Sequence, residues 1–243
     1  MRAVVLAAGI GSRLGEMTRN MTKGLVSVCG RKLIDYLLDF FDLDAFDEIL
    51  VIGGHYYDDL REHIEGKQIP HVRTVKNEQY LKGNIYTLMR GLREFSGDSF
   101  LITNVDHIYP PILFERMRQS FDFITAMCDF DRMLGDDDMK VKLRDDGKSV
   151  ASISKELTDF DCGYIGMTYI DSSMEEAYRN AIDGALARYG DKAVVENVLQ
   201  VLAESVDATP RICDLTGIGW YEIDTEEDLL RAEKEILRNE YFR

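Results

Sequence analysis

Short β-branched runs alternate with amphipathic helical patterns through the first half of the chain. Strands are predicted at 3–8, 48–52, 72–75 and 99–103, and helices between them at 33–41, 57–64 and 84–95. The last helix carries Leu88, Leu92 and Phe95 at helical spacing. A strand–helix alternation of this kind encodes a mostly parallel sheet covered on both faces. Right-handed crossovers would stack the units into one sheet.

After Asp106 the pattern changes. Strands are predicted at 123–128, 139–143, 150–154 and 163–170, separated by turns of which Asp145-Asp146-Gly147 is the clearest. This predicts an antiparallel or mixed extension of the sheet. Asp171-Ser172-Ser173 can cap a helix reaching about residue 189, and 195–205 reads as another. Thr225 with Asp228 three residues later forms a capping box for a final helix. With no Ser/Pro-rich linker, low-complexity stretch or repeat, one continuous domain over 1–243 is expected. The fold class is α/β, a Rossmann-like mixed, mostly parallel sheet flanked by helices.

Composition removes whole classes of function. The 243 residues hold 29 Lys plus Arg against 44 Asp plus Glu, a formal charge of −15, so the surface repels phosphate backbones and anionic lipid. Nucleic acid and membranes are therefore not expected partners. No stretch approaches the roughly 20 apolar residues of a membrane span, and a soluble, cytoplasmic protein is expected. Cys29, Cys128, Cys162 and Cys213 form no C-x-x-C pair, which leaves four buried, inert thiols as the expectation.

The first strand ends in Leu6-Ala7-Ala8 and runs directly into Gly9-Ile10-Gly11-Ser12-Arg13-Leu14-Gly15. Small residues at such a place let backbone N–H groups approach a phosphate chain. Arg13, and Lys23 ten residues on, add two cations suited to a triphosphate. The simpler alternative is a tight turn after a first strand. A Walker A loop is absent, and a dinucleotide fingerprint would need glycine where Leu14 stands and an acidic residue about 20 positions later.

What survives resembles the opening of the sugar-phosphate nucleotidyltransferase family, L-A-A-G-x-G-[ST]-R-L followed by a lysine, in Leu6 to Leu14 and Lys23. The resemblance implies the nucleotide-diphospho-sugar transferase type of fold. It also implies a nucleotide bound by Leu6, Ala7, Ala8, Gly9, Gly11 and Ser12 with Gly83 and Asn84, and catalytic roles for Arg13 and Lys23. One departure stands out: the family has Lys-Pro or Lys-Ala before the next Leu, whereas Lys23-Gly24-Leu25 places a flexible residue beside the lysine. A looser loop is expected there.

Asp106 follows the strand at 99–103, at the carboxyl end where open α/β sheets place ligands, and its oxygens suit Mg²⁺. A strand-ending or capping Asp is the alternative, and His107 is expected to be a hydrogen-bonded loop histidine. Trp220 to Thr225 resembles the family's W-x-[DE]-x-D-T segment, in which an acid completes the metal site. Asp224, nearer the strand's end, is expected to be that second ligand, with Glu222 in reserve. Lys155-Glu156 sits like the family lysine that holds the acceptor phosphate, giving Lys155 a catalytic role and Lys140, Glu156 and Asp161 roles in acceptor binding.

Lys82 to Tyr86, Asp106 to Tyr109 and Asp159 to Cys162 leading to Gly166 are most similar to the CTP:inositol-1-phosphate cytidylyltransferase branch. The implied reaction joins CTP and a small phosphorylated alcohol, with Mg²⁺ as cofactor. Phosphocholine or aminoethylphosphonate as acceptor, or a hexose 1-phosphate with UTP or dTTP, are alternatives. A quaternary ammonium would want an aromatic cage, for which Tyr164, Tyr169 and Trp220 are conceivable members, whereas acids crowding the acceptor side favour a polyol. A non-catalytic nucleotide sensor is the rival from another class.

Overall fold

Ala3, Val4, Val5, Leu6 and Ala7 are buried, as a strand covered on both faces requires. In the computed structural model, which describes residues 1–242, they lie in β1 (Arg2–Ala7). The chain continues through β2 (Ser27–Val28), β3 (Arg31–Lys32), α1 (Leu33–Phe40), β4 (Glu48–Gly53), α2 (Tyr57–Gly66), β5 (Val72–Lys76), α3 (Asn84–Leu92), β6 (Phe100–Asn104), β7 (His107–Ile108) and α4 (Pro111–Met117). There follow β8 (Ile124–Asp129), β9 (Lys140–Leu143), β10 (Val150–Ser154), β11 (Cys162–Ile170), α5 (Glu175–Tyr189), α6 (Val195–Ala203), β12 (Arg211–Asp214), β13 (Tyr221–Glu222) and α7 (Glu226–Ile236). The mixed, mostly parallel sheet flanked by helices is the α/β class expected from the alternating pattern.

The chain divides into two compact units that interleave in sequence. The first takes Met1–Glu94, Ile102–Glu115 and the segment from Ile218 onward, and the second takes Phe95–Leu101 and Arg116–Gly217. Arg243, the last residue of the span read from sequence as one domain, lies outside the described residues.

In the first unit the strand order is β6-β1-β4-β5, with β1/β4 and β4/β5 parallel. Phe40 packs on Tyr109 and Phe114 with ring centroids 5.1 and 5.6 Å apart. A second cluster joins Leu14, Val28, Leu33 and Ile108 to Ile223, Leu229, Ala232 and Ile236. Residues near the two ends of this sequence therefore share one apolar core, and that core carries the segments described below.

In the second unit β9 pairs antiparallel with β10 and β11, β11 pairs antiparallel with β8, and β12 runs parallel to β8. The Asp145-Asp146-Gly147 turn closes the β9–β10 hairpin. Asp146 accepts hydrogen bonds from the Lys148 and Ser149 N–H groups, both at 2.8 Å, and from the Ser149 hydroxyl at 2.6 Å.

Several expectations need correction. The third helix stops at Leu92 rather than 95, and Phe95 instead packs on Phe100 at 5.4 Å. The pieces α4, β7 and β12 fall outside the expected elements, and the strand expected within Trp220 to Thr225 is the two-residue β13. Each is two to seven residues long, too short for a periodic signal to build up. His107 is a strand residue, not a loop one. Cys128, Cys162 and Cys213 are buried, but Cys29 is exposed, in the β2–β3 turn with φ +51°. A two-residue turn between two-residue strands has no core in which to hide a side chain. Among the described residues no helix is long and apolar enough to cross a membrane.

Candidate functional site

The site lies within the first unit and is assembled from three distant stretches. Gly11 adopts φ +69°, and its carbonyl accepts from Leu14 N–H at 2.9 Å and the Thr18 hydroxyl at 2.8 Å. This turns the loop into a short 3₁₀ segment, Ser12–Thr18, pinned by fully buried Leu14. The apolar side chain that breaks the dinucleotide fingerprint is thus the anchor of the loop, and its neighbour Arg13 stays half exposed.

Lys23 opens a second 3₁₀ turn, Lys23–Leu25, and is buried. Gly24 does not loosen this turn. A Cβ there would meet Val105 Cγ2 at 3.1 Å and Leu60 Cδ1 at 3.5 Å, so the turn is closely packed at Gly24 rather than loose, and an added methyl would require Val105 to shift.

Asp106 sits in the turn from β6 to β7, where its carbonyl accepts from Ile223 N–H at 2.9 Å. Ile223 is buried in the apolar cluster, between Glu222 and Asp224. Asp224 is anchored from behind by the capping box of α7: Asp228 Oδ2 accepts from the N–H groups of Thr225 at 2.9 Å and Asp224 at 3.3 Å, while Asp228 N–H donates to Thr225 Oγ1 at 3.1 Å. Asp224 precedes the N-cap residue rather than filling that position itself.

These residues form one chain of charges. Arg13 donates to Asp224 Oδ2 at 2.6 Å, Lys23 Nζ donates to Asp224 Oδ1 and to Asp106 Oδ2 at 2.8 Å, and Asp106 Oδ1 lies 2.6 Å from His107 Nδ1. Burial pushes the Asp106 carboxyl up, but the charges of Lys23 and His107 outweigh it and hold the group well below the usual carboxylate range. Burial lowers and the two aspartates raise Lys23, and the aspartates prevail. Burial likewise disfavours charged His107, yet Glu222 and Asp106 lift its pKa. Glu222 is raised, mainly by burial, with Asp106 and Asp224 adding and His107 opposing.

The donor chemistry fits a hard divalent cation. Two carboxylates from separate segments already converge on one positive charge, the Lys23 ammonium, and oxygen donors of this kind suit Mg²⁺. Asp106, His107 and Glu222 offer ligand atoms within 4.8 Å of one another, so Asp106 also belongs to a second donor group on the His107 side.

At the carboxyl end of β1, Leu6 and Ala8 carbonyls accept from Val105 N–H at 3.1 Å and His55 N–H at 3.3 Å. Tyr80 lies so close that a Cβ on Gly54 would fall 2.5 Å from it and 2.9 Å from Ala8 Cβ. Gly53-Gly54 at a strand's carboxyl end was the overlooked signal for this approach. Gly83 caps α3, which Asn84 opens. Gly9 is exposed, Ser12 begins the 3₁₀ segment and Ala7 is buried in β1.

The other expected residues belong to the second unit. Lys140 is buried and donates to the Lys155 carbonyl at 2.7 Å, at the end of β10. Asp161 accepts from Leu143 N–H at 2.8 Å and Lys142 at 3.4 Å. The Lys155 ammonium lies 3.8 Å from Asp137, and Glu156 is exposed with its N–H on the Ser154 hydroxyl. Of the aromatics considered for a cage, Trp220 stacks on His107, Tyr164 hydroxyl pairs with Thr168, and Tyr169 stacks on Phe121 at 4.4 Å. All three are buried.

Residues 3–133 match the description of the MobA-like NTP transferase domain, more than half of the chain. The chain belongs to this family. As a MobA-like NTP transferase it is 30% identical over 239 residues to the bifunctional IPC transferase and DIPP synthase of Rubrobacter xylanophilus, covering 97% of this chain and 52% of that one. It is 28% identical to the choline-phosphate cytidylyltransferase of Streptococcus pneumoniae, covering 99% of this chain and 100% of the relative. The chain thus spans about half the length of the bifunctional relative and all of the second. Among solved structures, the inositol-1-phosphate CTP transferase of T. maritima superposes with a TM-score of 0.74 at 20% identity, over 96% of each chain, which shows the shared fold.

Proposed function

We propose that this MobA-like NTP transferase is a cytidylyltransferase that transfers CMP from CTP to inositol 1-phosphate, giving CDP-inositol and pyrophosphate. The observation that carries the reading is the Lys23 ammonium bridging Asp106 and Asp224, with Arg13 on the same Asp224, beside the glycine-rich loop. A passive nucleotide sensor has no need of that complete set. The relatives named as an IPC transferase and a choline-phosphate cytidylyltransferase support the class of reaction.

An acceptor phosphate oxygen attacks the α-phosphorus of CTP. The new O–P bond forms as the bond to the β-phosphate oxygen breaks, and that electron pair leaves with pyrophosphate. No general base is required, because a phosphate monoester with a second pKa of about 6 is already ionised at neutral pH. Catalysis is then positioning and charge neutralisation. Arg13 and Lys23 neutralise the departing pyrophosphate, the loop from Gly9 to Ser12 binds the triphosphate through its N–H groups, and Lys155 binds the acceptor phosphate. Leu6 to Ala8 with Gly83 and Asn84 frame the nucleoside. Asp106 and Asp224 would hold Mg²⁺, which when bound supplies charge neutralisation on phosphate oxygens.

The engagement of Trp220, Tyr164 and Tyr169 in core contacts favours a polyol over a quaternary ammonium acceptor. The test is a pyrophosphate-release screen with Mg²⁺, crossing CTP, UTP, dTTP and ATP with inositol 1-phosphate, phosphocholine, aminoethylphosphonate and glucose 1-phosphate. Release with CTP and inositol 1-phosphate is expected. Release only with UTP or dTTP and glucose 1-phosphate overturns the substrates, and tight CTP binding with no release in any pair overturns the enzyme.

A further inference from the structure

The two oxygens of Asp106 have different partners. Oδ2 faces the Lys23 ammonium at 2.8 Å, the position that a cation can take, while Oδ1 lies 2.6 Å from His107 Nδ1. A carboxylate on a turn can rotate about its Cα–Cβ and Cβ–Cγ bonds, and one fixed donor on one oxygen aims the other.

His107 is itself immobilised. It is buried in β7, opposite Glu222 of β13 in antiparallel register. Its ring is stacked against Trp220, with centroids 5.5 Å apart and planes 12° from parallel, and against Tyr109 at 5.6 Å and 22°. Its ring plane is thereby fixed, and with an ionised carboxylate at Nδ1 that nitrogen is the donor.

We propose that His107 is a positioning residue that holds Asp106 turned toward the cation through its Nδ1–H. This rests on the reading of Asp106 as a ligand of a divalent cation. Hydrogen-bond partners that orient a ligating side chain typically contribute 10- to 100-fold in metal affinity. Glu222, whose carboxylate lies within 4.8 Å of both partners, backs the pair from the neighbouring strand.

The test is Mn²⁺ titration of the folded protein without substrates, followed by electron paramagnetic resonance, on wild type and three variants. His107→Phe keeps an aromatic ring for the sandwich and loses the donor. His107→Asn places an amide N–H where Nδ1 stands, and His107→Gln places it where Nε2 stands. Wild type and His107→Asn should bind Mn²⁺ within about threefold of each other, and His107→Phe and His107→Gln at least about tenfold more weakly.

Equal affinity in His107→Gln and His107→Asn overturns the proposal, because a purely structural histidine predicts no such split. So does wild-type affinity in His107→Phe, or absence of Mn²⁺ binding by wild type. Should His107→Phe fail to fold, the Asn/Gln comparison decides alone. A failed pyrophosphate screen with the Mn²⁺ split intact removes the substrate reading and leaves this one standing.

Discussion

The Lys23 ammonium lies 2.8 Å from Asp106 Oδ2 and takes the place between Asp106 and Asp224 that a metal ion would need. A metal ion bound there would therefore compete with the ammonium for the same oxygens. Lys23→Met should bind Mn²⁺ more tightly than wild type while pyrophosphate release falls on the order of 10²- to 10³-fold. Mn²⁺ titration and steady-state kinetics on one preparation measure both; a variant with unchanged Mn²⁺ affinity refutes the competition.

Asp224 contacts both Arg13 and Lys23, whereas Glu222 groups with Asp106 and His107. Asp224→Asn should raise the Mg²⁺ concentration for half-maximal turnover by about tenfold or more, equivalent to about 1.4 kcal/mol. Glu222→Gln should raise it less. The reverse order in an Mg²⁺ titration would make Glu222 the second ligand.

Gly24 is walled in by Val105 and Leu60. Gly24→Ala should cost about 1–3 kcal/mol, the usual range for overpacking, read as a lower midpoint in urea at unchanged slope. A stability equal to wild type would mean that the turn yields.

Asp146 is lowered to about 2 from its ordinary 3.8 by the Ser149 hydroxyl and the Ser149 and Lys148 N–H groups. A lowered folded pKa stabilises above the unfolded value and loses that contribution as pH falls through the folded one. Wild type should therefore exceed Asp146→Asn in Tm above pH 4, and the gap should close between about pH 4 and 2. A gap constant across that window would assign the effect to packing.

Cys29 is exposed, and partial desolvation of its thiol, followed by the Glu233 charge, pushes its pKa up. One thiol of the four should react with a disulfide reagent in the native protein, faster as pH rises, and all four after denaturation. Titration of two or more native thiols would contradict the burial of Cys128, Cys162 and Cys213.

The sequence revealed long periodic elements well, because β1, β4 and α1 write their burial into consecutive side chains. It pointed to the charges of the first unit through loop chemistry: Arg13 and Lys23 follow the glycine-rich loop, Asp106 and Asp224 lie just beyond strands, and the structure brings all four side chains together. It concealed what depends on partners remote in the chain. His107 looked like a loop residue because its strand is two residues long and its stacking partner is Trp220. Gly24 looked flexible because the side chains that pack against it, Val105 and Leu60, lie far away in sequence. The Lys155 carbonyl that accepts from Lys140 lies just past the neighbouring strand and was not legible from the local spacing.

The capping box of Thr225 and Asp228 holds Asp224, and through it both Arg13 and Lys23. During synthesis, a ribosome must therefore deliver residue 228 before the loop made more than two hundred codons earlier can meet an anchored Asp224. Until then a nascent chain holds the glycine-rich turn with Asp106 as a partner for Lys23 but with no Asp224 for Lys23 or Arg13, so the full chain of charges closes only with the last helix.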